Sequence, residues 1–252
     1  MSIEVTLLGT GVGIPHSGRS QAGLVVKAKD PLLFDCGAGT LLRLAEAGFS
    51  PLDIDVAFLS HLHLDHVSDL LALSKARWLL GVCEMEIFGP SGTEDWFRNC
   101  QGLYSYLKDL DIEFHEVEPD EEFNISGVRI ATAKAVHSIP ALAYRVEYCK
   151  KAVVYSGDTE PVSSVANLAM GADLLIHECS FPEPFEVTNH TTPRRLGEVL
   201  EDVDRVVLTH LYPETIGHEE EMIRDVKGGL GSDANVKIGR DLQKIKVSTT
   251  RH

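Results

Sequence analysis

The sequence predicts a layered α/β fold, and three observations carry that reading. Short apolar runs recur along the chain and alternate with segments of helical spacing. Several of these runs end at Gly, Pro or Asp, as strand ends do. The 252 residues are 44% hydrophobic and 24% charged, ordinary globular proportions with enough chain to bury a sizeable core.

The elements follow in order. Residues 3–8 read as a strand running into the turn Gly9-Thr-Gly-Val-Gly-Ile-Pro15, whose glycines serve backbone geometry rather than a nucleotide. Residues 23–28 and 31–34 give two more strands, the second ending in Asp35-Cys-Gly-Ala-Gly39. Residues 40–47 have helical spacing and stop at Gly48. Residues 56–59 form a buried strand, and a helix is expected over 65–80 with Leu70, Leu71, Leu73 and Trp78 among its apolar positions. Next come a strand over 84–88, closed by Gly89-Pro90, and an amphipathic helix over 93–107. Strands over 128–134, 143–148 and 152–155 follow in quick succession. A short helix near 162–170, a strand over 173–177, a helix over 193–200 and a strand over 205–208 complete the series. There is no obvious repeat, low-complexity tract or Pro/Ser linker. Two strand-rich halves divide around residues 110–125, and residues 1–252 read as a single domain.

Composition narrows the class. The longest apolar runs, such as 70–73 and 152–155, are far too short to cross a bilayer. The first residues lack a basic n-region, so no secretory signal is expected and the expected location is cytoplasmic. Five scattered cysteines without a CxxC pair predict reduced, mostly buried thiols. A net charge of −15 opposes binding of long nucleic acids, which need Lys and Arg on their phosphates. The acidic runs 118–122 and 219–221 read as solvated loop or helix faces.

The chemistry concentrates in His61-Leu-His-Leu-Asp-His66, an HxHxDH pattern at the end of an apolar strand. Residues two apart in an extended segment point the same way, so His61 and His63 can grip one cation. Asp65 and His66 project differently as the chain turns, and can reach a second. Imidazole with carboxylate suits zinc and accommodates manganese or iron. Three later residues each close an apolar run: His137, Asp158 in Tyr155-Ser-Gly-Asp-Thr159, and His210 in Val206-Val-Leu-Thr-His210. Strand ends can present all of them to one sheet edge.

HxHxDH, then His, then Ser-Gly-Asp-Thr, then Leu-Thr-His resembles the metallo-β-lactamase superfamily over nearly the whole chain. The resemblance implies an αββα sandwich, two mixed sheets flanked by helices, with two divalent ions, zinc first, at one edge. It assigns His61, His63 and His137 to one ion, Asp65, His66 and His210 to the other, and Asp158 as a bridge. His177-Glu-Cys-Ser-Phe181 and Asn189-His-Thr-Thr192 are similar to motifs of ribonuclease Z-like members, where His190 would be the general acid and Glu178 its partner. A carboxylate beside that imidazole would favour its protonated form. The competing reading leaves His190 in a solvated loop, and His177 alone reads as structural. Leu8-Gly-Thr-Gly11, Pro15-His-Ser-Gly-Arg19, Asp35-Cys-Gly-Ala-Gly-Thr40 and Phe88-Gly-Pro-Ser-Gly-Thr93 resemble the same branch.

Departures weigh on the substrate. Ribonuclease Z carries a tRNA-binding arm between the positions of His137 and Asp158, whereas here only two strands and the turn Tyr148-Cys-Lys-Lys151 intervene. Leu211-Tyr-Pro213 stands where Ser-x-Arg is expected, and Cys179 and Ser180 replace Ala and Thr. Two divalent ions, two carboxylates and one hydroxide leave a charge of about +1, a field suited to an anionic diester. The expected activity is therefore a phosphodiesterase acting on a small or nucleotide-type diester, with Asp65 holding the attacking hydroxide. The resemblance is also compatible with a homodimer. Rival readings are tRNA 3′-end cleavage, hydrolysis of an ester, thioester or lactone, and a metal-stabilised sensor without catalysis. Arg19 is a candidate phosphate contact or a surface arginine, and His16 either approaches the cleft or lies on the surface. Trp96, Phe97, Tyr104 and Tyr106 read as core packing before a pocket wall. His115, His218 and His252 match no motif.

Overall fold

The computed structural model describes residues 2–16 and 18–248, so His252 lies outside it. The first half of the chain supplies β1 (Ser2–Gly9), β2 (Gly23–Lys27), β3 (Pro31–Phe34), α1 (Thr40–Glu46), β4 (Val56–Phe58), α2 (Leu64–Val67), α3 (Leu70–Leu79), β5 (Glu84–Gly89), α4 (Thr93–Gly102) and β6 (Asp111–Glu116). The second half supplies β7 (Glu122–Ile125), β8 (Val128–Lys134), β9 (Leu142–Tyr148), β10 (Lys151–Tyr155), α5 (Ser163–Ala169), β11 (Leu174–Glu178), α6 (Pro193–Val199) and β12 (Arg205–Thr209). The chain closes with α7 (Glu219–Leu230), β13 (Asn235–Ile238) and β14 (Lys244–Ser248).

These strands form two seven-stranded mixed sheets, ordered β14-β1-β2-β3-β4-β5-β6 and β13-β12-β11-β10-β9-β8-β7. The two sheets are built alike. In the first, the strands from β14 to β3 pair antiparallel and those from β3 to β6 parallel. In the second, β7 to β10 pair antiparallel and β10 to β13 parallel. The expected division near residues 110–125 falls between β6 and β7, although β14 returns to the first sheet.

Side-chain alternation explains why the strands read as continuous apolar runs. Along β4, Val56 and Phe58 face the inter-sheet core while Ala57 joins a second cluster beneath the helices. Along β12, Val207 faces inward while Val206 and Leu208 pack toward α6 and α7. Phe34, Phe58 and Phe88 stack through the central layer at 4.7 and 5.0 Å. The αββα sandwich is thus the observed architecture.

Several expectations need correction. The helix over 65–80 is two helices, because the backbone at the break bonds elsewhere. Asp69 N–H donates to Cys36 O at 2.8 Å, and its carboxylate accepts from Gly39 and Leu41 N–H at 2.9 and 3.0 Å, at the N-terminus of α1. The helix over 93–107 stops at Gly102, and Tyr104 and Tyr106 beyond it are 42% and 53% exposed, so core packing holds for Phe97 and not for them. Of the five cysteines only Cys36 and Cys179 are buried, not the majority. No helix among the described residues is long and apolar enough to cross a membrane.

Candidate metal centre

Parallel strands deliver their C-terminal ends to one edge, where an α/β sheet offers its ligand site. There β4 runs into Ser60, His61 and His63, and α2, which His63 immediately precedes in extended backbone, carries Asp65 and His66. From the other sheet, β10 ends three residues before Asp158, β11 ends at Glu178 and β12 ends next to His210, while His137 lies three residues beyond β8. Gly157 has φ +56, and a Cβ there would meet Ser60 Cβ at 2.5 Å, so glycine is what lets the two sheets close beside Asp158.

All seven residues of the expected metal set converge. His63 Nδ1 lies 3.1 Å from His61 Nε2 and 3.0 Å from His137 Nε2. On the other side His210 Nε2 lies 3.4 Å from Asp65 Oδ2. The Asp158 carboxylate sits between the groups, with Oδ2 3.7 Å from His61, 4.0 Å from His137 and 3.2 Å from His210, and Oδ1 3.4 Å from His66. The donor atoms of His61, His63 and His137 fall within 4.8 Å of one another, as do those of Asp65, His66 and His210.

These residues fit divalent ions. Two nitrogens on one tetrahedral zinc lie about 3.3 Å apart, close to the contacts of His63 with its two neighbours. A proton can satisfy only one such nitrogen pair, whereas a cation satisfies all three nitrogens at once. His66 Nε2 and Asp158 Oδ1 are buried without a hydrogen-bond partner among the described residues, a costly state that a cation would relieve. Burial, then His66, holds the His61 imidazole well below its ordinary pKa, and burial, then His137, lowers His63. Both are therefore neutral and able to donate lone pairs. Burial opposes ionisation of Asp65, but a hydrogen bond from His210 and the charges of His66 and His210 outweigh it and bring its pKa to about 2.

A buried polar shell holds the cluster. Asp35, fully buried, accepts from Ser60 N–H and Ser60 Oγ at 2.7 Å, from Tyr155 O–H at 2.6 Å and from His66 Nδ1 at 2.7 Å. That last bond fixes the tautomer that turns His66 Nε2 toward Asp158. Sequence reasoning gave Asp35 no role, although it opens the quoted Asp35-Cys-Gly-Ala-Gly-Thr40 segment. Its φ of +55 at a strand end marks a residue placed for its side chain.

Beside the cluster, Glu178 Oε1 accepts from His190 Nδ1 at 2.9 Å. Glu178 is fully buried and also accepts from Thr159 N–H, Thr191 N–H and Ser180 Oγ at 2.9, 3.1 and 2.7 Å. Ser180 Oγ further lies 3.1 Å from His210 Nδ1, so serine retains the hydroxyl of the threonine it replaces. Burial disfavours the His190 imidazolium, but Glu178 outweighs it and raises the pKa. A nitrogen of His190 lies within 4.8 Å of donor atoms of His137 and Asp158. His177 is buried and donates from Nδ1 to Glu178 O at 2.6 Å. Arg19 donates to Thr10 Oγ1 and Gly239 O at 2.5 and 2.7 Å, which ties two loops together rather than facing the cluster. His16 Nε2 lies 3.3 Å from the carbonyl oxygen of Leu211, the residue after His210.

Fold and His/Asp cluster together define a metallo-hydrolase, and the chain belongs to the beta-lactamase superfamily. The family model described as "Beta-lactamase superfamily domain" matches residues 31–211. A ribonuclease Z of Mycobacterium sp. (strain KMS) is 30% identical, with 97% of this chain and 96% of the relative covered. Among solved structures, the metallo-beta-lactamase fold protein YhfI of Bacillus subtilis superposes with a TM-score of 0.86 at 23% identity, covering 98% and 100% of the two chains. The short form of human tRNase Z follows at 0.78 and 23%, covering 97% and 99%.

Proposed function

We propose that this chain is a dinuclear, zinc-dependent phosphodiesterase acting on a small or nucleotide-type diester. The observation that carries the reading is the Asp158 carboxylate, within 3.2–4.0 Å of ring nitrogens from both sets of donors. One carboxylate shared by two three-residue sets suits two ions spaced as in two-metal hydrolases. His61, His63 and His137 would hold one ion and Asp65, His66 and His210 the other. Bound there, the ions would supply Lewis-acid polarisation of the phosphoryl group and activation of water.

The chain's own residues do the rest. Asp65, ionised down to a pH of about 2, orients the attacking water and takes its hydrogen bond. His190, kept protonated by Glu178, gives a proton to the departing oxygen. Glu178 stays fixed under four donors, so it aims His190 without taking the proton itself.

The test is hydrolysis of bis(p-nitrophenyl) phosphate by protein of measured metal content, with zinc and manganese loaded separately. Turnover that requires two metals per chain is expected. A fully loaded protein without turnover would overturn the phosphodiesterase reading and point to ester, thioester or lactone substrates.

The identity to ribonuclease Z supports a second reading, cleavage at the 3′ end of precursor tRNA. Three features weigh against it. The turn joining β9 to β10 is two residues, Cys149 and Lys150, both at positive φ, a tight hairpin that leaves no arm there. The 275 aligned positions against 252 residues leave at least 23 positions of the mycobacterial relative without a counterpart. The net charge of −15 also disfavours a long polyanion. Site-specific cutting of a precursor tRNA at low enzyme concentration would restore this reading.

A further inference from the structure

The segment after His210 is where the sequence departs from ribonuclease Z-like proteins: Pro213 stands where the charge is expected, and the residue before it is the aromatic Tyr212. Tyr212 is held from both sides: its N–H donates to Ser180 O at 3.2 Å, and its own O accepts from Thr215 N–H and Oγ1 at 3.0 and 2.7 Å. Its ring stacks on Phe181 at 4.3 Å and 28°, and Phe181 stacks on Phe185 at 5.5 Å and 29°. The other end of this wall meets the centre, with Tyr212 lying 5.8 Å from the His190 ring and 5.9 Å from the His210 ring, near-perpendicular to both. Tyr212 is half-buried, its hydroxyl makes no hydrogen bond among the described residues, and Phe185 is 45% exposed. Three rings thus run in series from beside His190, the proposed proton donor to the leaving group, to the half-exposed Phe185.

We infer that Tyr212, backed by Phe181 and Phe185, is a specificity-determining residue that selects diesters bearing a flat aromatic ring on the leaving group. The inference rests on the phosphodiesterase reading for the reaction, but the ring preference is a property of binding. A flat ring stacks on aromatic side chains without needing matched hydrogen-bond donors, and one such contact is worth about tenfold in affinity. A ring-free alkyl group gains little from the same surface.

The test measures binding first. Phenylphosphonate, uridine 3′-monophosphate and methylphosphonate are titrated by calorimetry into zinc-loaded protein, into Tyr212→Leu and into Tyr212→Phe. The two ring-bearing anions are expected to bind about tenfold more tightly than methylphosphonate. That preference should vanish in Tyr212→Leu and return in Tyr212→Phe, with methylphosphonate affinity and zinc content unchanged. Tighter binding of the uridine nucleotide than of phenylphosphonate marks a nucleobase as the natural ring, and the reverse order marks an aryl ester. Absence of a ring preference in the starting protein, or its persistence in Tyr212→Leu, overturns the inference. Turnover of bis(p-nitrophenyl) phosphate is read separately. Ring preference without turnover would sink the phosphodiesterase reading alone, and a Tyr212→Leu loss in kcat rather than KM would sink the binding role.

Discussion

Asp35→Asn tests whether the buried shell, rather than the metal donors alone, sets the centre. Asparagine is nearly isosteric and tolerates left-handed backbone, so the φ of +55 should survive and the change should be electrostatic. The carboxylate accepts four hydrogen bonds of 2.6–2.7 Å from Ser60 N–H, Ser60 Oγ, Tyr155 O–H and His66 Nδ1. An amide offers one oxygen and sets N–H groups against the remaining donors. The metal-free protein should lose on the order of 3 kcal/mol, as for other broken buried networks, read as a lower urea midpoint. His66 should lose the partner that fixes its tautomer, and the affinity of one of two zinc ions should fall about 10- to 100-fold. A chromogenic chelator competing for zinc measures this one ion at a time. Unchanged affinity of both ions in a folded Asp35→Asn protein would refute the reasoning.

Other perturbations separate the remaining parts. Asp65→Ala should leave the ion held by His61, His63 and His137 in place, lower metal content from two to one per chain, and abolish most turnover. Full content with full turnover would remove Asp65 from the mechanism. Glu178→Gln bears on pH. The raised His190 pKa keeps the donating form present at low pH and loses it as pH rises through that value. Without the carboxylate, burial remains and lowers the pKa, so the alkaline limb of kcat/KM should move to lower pH. A limb that stays put would unseat His190 as the proton donor. Gly157→Ala places a Cβ 2.5 Å from Ser60 Cβ at φ +56, and should cost roughly 1–3 kcal/mol by denaturant titration while weakening metal binding through Asp158.

What could be read from the sequence depended on whether a segment was buried on both faces. β3, β4, β10 and β12 are covered by the partner sheet and by helices, so they appear as plain apolar runs. β13 and β14 went unread because they are edge strands, short and half-exposed, with Lys237, Lys244 and Lys246 along them. β6 and β7 likewise carry exposed Asp111, Glu113 and Glu122. α7 hid behind two glycines near its end, and one has a packing reason: a Cβ on Gly229 would lie 2.2 Å from Gly197 backbone, where α6 and α7 cross. Within the site, histidines at strand ends were legible because they are scarce and spaced. Asp35 and Ser180 were not, because a carboxylate and a hydroxyl that act through a histidine carry no spacing of their own. Their role comes from two sheets meeting, with Asp35 and Tyr155 joined across 120 positions of sequence.

That meeting of sheets also accounts for the two strained residues of the centre. Asp35 and His210 follow β3 and β12, in opposite sheets, and both take left-handed backbone at φ +55 and +54. A residue that continued its strand would alternate its side chain into the core or under the helices. A single left-handed step at the strand end frees the side chain from that alternation and swings it to the shared edge. Such a conformation costs about 1 kcal/mol or more for a non-glycine residue, so surrounding contacts must impose it. Here they do: Asp35 N–H donates to Phe58 O at 2.8 Å, and beyond His210 the Leu211 N–H donates to Thr10 O at 2.9 Å. Each strained residue is pinned by a strand or loop of the first sheet, so the two halves of the centre are set by the same packing that joins the sheets. Asp35→Gly and His210→Gly should therefore relieve backbone strain yet lose metal, whereas a gain in stability with metal affinity intact would show that the strain serves no purpose at the site.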